Sequence, residues 1–212
     1  MNTIFKDGDT VLFQGDSITD CFQSESLEES MGNGYASMVS QIYQILYPKV
    51  QVKFVNKGVS GNATKNLLER YEKDFKEIQP DFISILVGIN DLRREGNYHI
   101  EPSYETFMNQ YRKLLDQIKR DLPNAKIMIL EPFMLDTDPK RDDFRKDLDS
   151  KIAGVRILAR EYADYYLPLD GILAKLAYTK YLPFEISEDG VHPTAFGHSL
   201  IAYEYMKTLN II

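Results

Sequence analysis

Five short apolar runs alternate with helix-patterned stretches along this chain, and that alternation most narrows what it can fold into. The runs are Val11-Leu-Phe13, Val50 to Val55 (where apolar and polar residues alternate), Asp81-Phe-Ile-Ser-Ile-Leu-Val87, Lys126-Ile-Met-Ile-Leu130 and Tyr165 to Leu169. Between them lie stretches with apolar residues three and four apart, the period of a helix that buries one face. Gly34 to Tyr47 carries Met38, Ile42, Ile45 and Leu46 in this way, and Pro48 ends it. A glycine-punctuated loop, Asn56 to Asn62, opens a second helix that runs to about Phe75. A third starts near Ser103, where Ser103 and Glu105 or its neighbour read as a capping box, with the stripe Phe107, Tyr111, Leu114, Leu115 and Ile118. After a loop from Phe133 to Pro139, a long helix carries Phe144, Leu148, Ile152, Val155 and Leu158. A helix from about Gly171 to Tyr178 leads into an irregular stretch, Lys180 to Gly190. The last helix follows Pro193 and is expected to turn Phe196, Leu200, Ile201, Tyr205 and Leu209 inward. Strands alternating with helices predict one parallel sheet covered by helices on both faces.

At 212 residues the chain suits a single α/β domain spanning 1–212, with enough length for a sizeable core. No repeat, low-complexity tract or linker interrupts it. Its net charge is −7 and no stripe gathers Lys and Arg, which argues against nucleic acid as a partner. Cys21 is the only cysteine, so neither an internal disulfide nor a thiolate zinc cluster is possible, and no metal site is expected. The first nine residues lack the basic and apolar regions of a signal peptide, and no apolar run is long enough to span a bilayer. A cytoplasmic enzyme or binding protein is the expectation, with no membrane partner.

In a parallel sheet of this kind, ligands bind beyond the carboxyl ends of the strands. Ser17, Gly61, Asn90 and the Glu131-Pro132 turn all follow expected strands and should gather along one rim. Ser17 comes just after Gly15, where a tight turn can aim its hydroxyl out of the sheet, although a serine there can equally be a helix cap or turn residue. A serine nucleophile needs a base within hydrogen-bond reach. His192, in Asp189-Gly-Val-His-Pro193, has a carboxylate three residues before it that can fold back onto Nδ1 and leave Nε2 for Ser17. The alternative is a plain helix entry with Asp189 in a turn and His192 solvated. His198, inside the last helix, reads as structural or exposed, and His99 as solvated. Donors for a developing oxyanion are available from the Ser17 and Gly61 backbone N–H groups and the Asn90 amide. Gly61 and Asn90 have equally ordinary readings as turn and cap residues.

Taken together, Gly15-Asp-Ser-Ile-Thr19, Gly61 in Val-Ser-Gly-Asn62, Gly88-Ile-Asn-Asp91 and Asp189-Gly-Val-His-Pro193 resemble the four sequence blocks of the SGNH hydrolases, the GDSL-type esterase and lipase superfamily. The blocks stand in the family's order and span nearly the whole chain. Ile18 replaces the family's leucine beside the serine. The resemblance implies a flavodoxin-like three-layer α/β/α sandwich and ester hydrolysis through an acyl-serine, with no metal or other cofactor. It assigns Ser17, His192 and Asp189 to a catalytic triad, and Ser17, Gly61 and Asn90 to the oxyanion hole. Gly58-Val-Ser-Gly61, Val87-Gly-Ile-Asn-Asp91 and Leu130-Glu-Pro-Phe133 look most like the intracellular acetyl-xylooligosaccharide esterases. That match favours a small ester substrate, an acetylated sugar or oligosaccharide, and a homo-oligomer.

Neighbouring residues have plainer expected roles. Asp16 reads as a carboxylate bonding nearby backbone, and Asp91 as structural. Arg93 and Arg94 read as a solvated or ion-paired couple, and Cys21 as a small apolar filler. Tyr181, Phe184 and Ile186 are candidates for a pocket wall or for core. Two rivals remain: the same machinery acting on lysophospholipids or acyl thioesters, and a flavodoxin-like module that binds without catalysis. Against the second, no Walker pattern or GxGxxG follows the first strand.

Overall fold

The computed structural model describes residues 3–23, 30–92, 102–137 and 142–212. Its strands are β1 (Thr10–Gly15), β2 (Lys53–Asn56), β3 (Phe82–Leu86), β4 (Lys126–Leu130) and β5 (Tyr165–Leu167). All pair in parallel, in the order β2-β1-β3-β4-β5. This is the flavodoxin-like order, and it reverses direction at the β1/β3 seam. The helices are α1 (Ser17–Asp20), α2 (Tyr35–Leu46), α3 (Thr64–Glu69), α4 (Tyr104–Asp121), α5 (Asp142–Tyr162), α6 (Leu169–Thr179), α7 (Pro183–Ile186) and α8 (Ala195–Thr208). A π-helical turn occupies Glu72–Lys76 and a 3-10 turn Ile89–Asp91.

Alternation along the strands builds two cores. Val11, Phe13, Phe82, Leu86, Met128 and Leu130 point to one face, where α2, α6 and α8 cover them. Leu12, Ile83, Ile85, Ile127 and Ile129 point to the other, under α3, α4 and α5. Each large apolar side chain removed from water in this way contributes about 1.5–3 kcal/mol. A sheet buried on both sides needs apolar residues at both parities, which is why its strands read as continuous apolar runs.

Several elements differ from the pattern in the sequence. The second strand is shorter than expected and starts at Lys53. The expected helix through Phe75 is two pieces, α3 and the π turn. Ser103 does cap α4, accepting from Thr106 N at 3.2 Å, but the third helical position is Thr106, so the acidic half of a capping box is missing. The stretch 180–190 contains the short helix α7. On α2 the buried face is Tyr35, Ala36, Val39 and Tyr43, while Ile45 and Leu46 near its C-terminal end are exposed. On α8, Gly197, His198, Ile201, Ala202, Tyr205 and Met206 face inward, and Phe196 is exposed with its ring edge-on to Tyr181. Ile186 lies in the core and Phe184 is exposed. Among the described residues no helix is long and apolar enough to cross a membrane.

Candidate active site

Ser17 is the first residue of α1, directly beyond β1. Asp16 caps that helix, its Oδ1 accepting from Ile18 N at 3.0 Å. The turn is tight enough to demand Gly15: a Cβ there would sit 2.4 Å from both Leu86 O and Thr19 Oγ1. As the first helical residue, Ser17 has an amide N–H with no intrahelical acceptor to bond.

His192 arrives from the far end of the chain. Its Nε2 lies 3.0 Å from Ser17 Oγ, and its Nδ1 lies 2.8 Å from Asp189 Oδ2. The loop that carries both is locally braced. Asp189 Oδ1 accepts from the backbone N–H of Val191 at 2.9 Å and of His192 at 2.7 Å. Ser187 Oγ donates to His192 O at 2.8 Å, and Leu135 N donates to Gly190 O at 2.8 Å. Gly190 has φ +82°, and a Cβ on it would lie 2.4 Å from Leu135 O, so both conformation and space require glycine. Burial raises the Asp189 carboxyl, but the His192 ring and the N–H groups of His192 and Val191 outweigh it and hold the group down to about 2. Asp189 is therefore ionised throughout the neutral range and can stabilise an imidazolium.

Gly61 and Asn90 come from the neighbouring strand ends. Gly61 is the third residue of the Val59–Asn62 turn, closed by Asn62 N to Val59 O at 3.1 Å, and its φ of +78° is the left-handed value a type II turn needs there. Nothing lies within 4 Å of where its Cβ would be, so the requirement is conformational rather than steric. Asn90 lies in the 3-10 turn after β3 and donates from Nδ2 to Asn62 O at 3.1 Å. An amide nitrogen carries two N–H groups, so that bond leaves a second donor on Asn90. Gly88 opens the same turn with φ +137°, and Pro132 packs beneath it.

Ser17, His192, Asp189, Gly61 and Asn90 thus belong to one rim at the β1/β3 seam. The Glu131-Pro132 turn contributes only Pro132; the Glu131 carboxylate is buried and bonded to Arg156 and Tyr166. Asp16 and Asp91 are structural in geometry, Asp91 accepting from Thr64 N and Oγ1 at 3.0 and 3.2 Å. Burial pushes Asp16 up to about 7 against the Ile18 N–H, and the Asp91 charge adds to the rise. Burial likewise lifts Asp91 to about 6. His198 is buried, accepting from Tyr35 N at 3.2 Å on Nδ1, with Cys21 Sγ 3.3 Å from Nε2. Cys21 is half-buried and polar in its contacts rather than an apolar filler. His99, Arg93 and Arg94 lie outside the described residues.

Two cavities flank the rim. One of about 350 Å³ is lined by Ile89, Leu92, Met134, Phe144, Val191 and His192. The other, about 470 Å³, is bordered by Gly61, Asn90, Lys65, Asn66, Thr106 and Gln110. Among the described residues no group of three or more His, Cys, Asp or Glu side chains is arranged to hold a metal ion.

Arg70, whose Nε donates to Asn62 Oδ1 at 2.9 Å at the end of the Gly61 turn, belongs to no motif. A signal existed for Arg70: Leu67, Tyr71 and Phe75 are the buried stripe of its helical segment, and Arg70 lies three residues from Leu67 on the same side.

A model of the GDSL-like lipase/acylhydrolase family matches residues 13–200. An acetylxylan esterase of Geobacillus stearothermophilus is 29% identical over 208 residues, covering 95% of this chain and 94% of that protein. Among solved structures, a proposed GDSL-like lipase from Parabacteroides merdae superposes with a TM-score of 0.91 at 30% identity, each chain covered completely (100%). Axe2, an acetylxylan esterase of Geobacillus stearothermophilus, gives 0.85 at 28% identity, with 96% of this chain and 95% of that one covered. Structures of catalytic mutants of Axe2 carry alanine in place of a serine, a histidine or an aspartate.

Proposed function

The chain belongs to the GDSL-like lipase/acylhydrolase family and is a carboxylic ester hydrolase, and from that premise we propose that it removes short acyl groups, acetyl above all, from O-acetylated carbohydrates through an acyl-serine on Ser17. The observation that carries the reading is the unbroken relay from Ser17 Oγ to His192 Nε2 at 3.0 Å and from His192 Nδ1 to Asp189 Oδ2 at 2.8 Å. The three residue types replaced in the catalytic mutants of Axe2 are the same three.

In this mechanism Ser17 Oγ attacks the ester carbonyl while His192 Nε2 takes its proton. Asp189 fixes the proton of the neutral ring on Nδ1, which leaves Nε2 free to accept, and then stabilises the imidazolium. The carbonyl oxygen, now negative, is held by the N–H groups of Ser17 and Gly61 and by the second N–H of Asn90 Nδ2. Collapse of the tetrahedral intermediate breaks the bond to the sugar oxygen, which leaves as an alcohol with the proton from His192. Water, deprotonated by the same ring, attacks the acyl-serine and releases acetate and free Ser17.

The test is a substrate panel: acetylated xylooligosaccharides, an aryl acetate, a long-chain acyl glycerol and an acyl thioester, with Ser17→Ala as the blank. Fastest turnover of the acetylated sugar, lost in the variant, is expected. Preference for the long acyl chain or the thioester would replace the substrate assignment, and turnover by Ser17→Ala would remove the acyl-serine altogether.

A further inference from the structure

We propose that Arg70 is a positioning residue for the oxyanion site: it locks the Gly61 turn to the strand end that carries Ser17, and this inference rests on the acyl-serine reading above. Arg70 follows α3, and its side chain is 19% exposed, largely withdrawn from water beneath the rim. Every N–H of its guanidinium has an acceptor. Nε donates to Asn62 Oδ1 at 2.9 Å, and Nη1 to Lys57 O at 2.8 Å and to the Asp74 carboxylate. Nη2 donates to Gln14 Oε1 at 3.1 Å and to Gly15 O at 3.4 Å.

These acceptors are not a random set. Gln14 and Gly15 end β1, two residues before Ser17. Lys57 and Asn62 bracket the loop that contains Gly61. Asn62 is the branch point, because its side chain is held by Arg70 while its backbone oxygen receives Asn90 Nδ2. A single planar cation therefore reaches, directly or through Asn62, the segments supplying all three proposed oxyanion donors. Asp74, on the π turn that begins two residues after Arg70, is itself buried and neutralises the cation, so the fork is held from behind. Backbone bonds from Lys57 N to Phe13 O and Val59 N to Gly15 O give the loop a fixed start, whereas beyond its own turn bond the Gly61–Asn62 end is tied to other segments by side chains. Lysine has three donors on one point and cannot span five acceptors, so charge alone does not reproduce the arrangement.

An ion pair that merely stabilised α3 would lower the melting temperature when removed and leave the chemistry of folded molecules intact. A positioning role makes a different demand. Displacing oxyanion donors by a fraction of an ångström weakens transition-state binding without changing ground-state binding. The experiment measures kcat, KM and the affinity of a small alkyl boronic acid, whose tetrahedral adduct mimics the intermediate, in Arg70→Lys and Asn62→Ala. Asn62→Ala removes one acceptor and no buried charge, and keeps the backbone oxygen that holds Asn90, so it retains the fold if Arg70→Lys does not. The expected result is a fall in kcat of roughly 10- to 100-fold for Arg70→Lys and a smaller fall for Asn62→Ala, with KM within about twofold and boronate affinity falling in parallel with kcat. Unchanged kcat in folded variants, or a change confined to KM or to melting temperature, overturns the role of Arg70. Ser17→Ala run alongside separates the two readings: if that variant still turns over substrate, the acyl-serine itself fails, whatever Arg70 does.

Discussion

The two halves of the site are held by different means. On one side, Ser17, Gly61 and Asn90 follow β1, β2 and β3 and are stitched together by residues distant in sequence. Arg70 reaches Gln14 and Gly15, Asn56 Nδ2 donates to Thr19 O at 2.7 Å, and Asp20 accepts from Ser60 N at 3.1 Å. On the other side, Asp189 and His192 share a surface loop with side chains 41% and 58% exposed. Several of the bonds that shape this loop lie within its own seven residues, Ser187 to Pro193, and Leu135 N reaches it from outside by donating to Gly190 O. The anion cradle is thus a product of packing, whereas the base and its orienting carboxylate are a product of local chain geometry. Damage to the first should spread through the fold, and damage to the second should stay in the loop.

The largest expected effects break the relay itself. Ser17→Ala and His192→Ala should each lower kcat by about 10⁴-fold or more while leaving the melting curve nearly in place, because neither side chain supports the core. Asp189→Asn should cost about 10³- to 10⁴-fold in kcat by favouring the wrong histidine tautomer. Its carbonyl oxygen can still accept from the N–H groups of Val191 and His192, so the loop should hold. Steady-state kinetics on an aryl acetate, paired with thermal melting, checks all three. A large melting shift in His192→Ala would contradict the picture of a self-contained loop.

Next comes the cradle. Asn90→Ala should lower kcat by about 10²- to 10³-fold, or ~2.7–4 kcal/mol of transition-state stabilisation. Unlike the loop variants, it should also loosen the Gly61 turn, because it removes the donor to Asn62 O. Faster amide hydrogen exchange from Val59 to Asn62 would register this, and unaltered exchange there would count against packing as the means of support.

Two glycines sharpen the contrast further. Gly61 and Gly190 have nearly the same φ, +78° and +82°. A methyl group on Gly61 meets open space, while one on Gly190 meets Leu135 O at 2.4 Å. Gly61→Ala should therefore cost about 1–2 kcal/mol of stability from backbone conformation alone. Gly190→Ala should cost more, because the Leu135 segment must move as well. Chemical denaturation of the two variants side by side measures the difference, and equal losses would mean that the Leu135 segment gives way freely.

A last contrast is a pH dependence at the edge of the site. Burial, helped by the nearby His192 charge, pushes His198 down to about 4 from its ordinary 6.5. The unfolded chain takes up a proton there below pH 6.5, while the folded protein resists until about pH 4, so this residue's contribution to stability is lost as pH falls through that window. Asp16 and Asp91, both raised by burial, act in the opposite sense over an overlapping range. The informative quantity is thus a difference between variants: the stability gap between the native chain and His198→Gln should narrow as pH drops from 6.5 to 4. A gap that stays constant would place the His198 pKa near its ordinary value.

How much of this could be read without coordinates follows the same division. Asp189-Gly-Val-His-Pro193 places a carboxylate and an imidazole three residues apart around a glycine and ahead of a proline, and their contact needs little from the rest of the chain. The three central strands β1, β3 and β4 were readable because burial on both faces writes itself as continuous apolar runs. Exposure was less readable: Ile45 and Phe196 have the right chemistry and helical spacing for the core, yet lie where no element covers them. Arg70 is the clearest omission, one cation among 25 basic residues: Asp74 four residues on marks one partner, but nothing local marks Gln14, Gly15, Lys57 or Asn62.

The sequence by itself determined the alternation of strands and helices, the family to which the blocks belong, and the three-residue spacing that lets residues 189 and 192 meet, because each depends on neighbours along the chain. Only the tertiary structure decided that Ser17 meets a histidine 175 residues away and that one half-buried guanidinium spans the end of β1 and the Gly61 loop. Those contacts arise from where the strand order reverses and from how loops pack above it, and no local pattern of side chains records them.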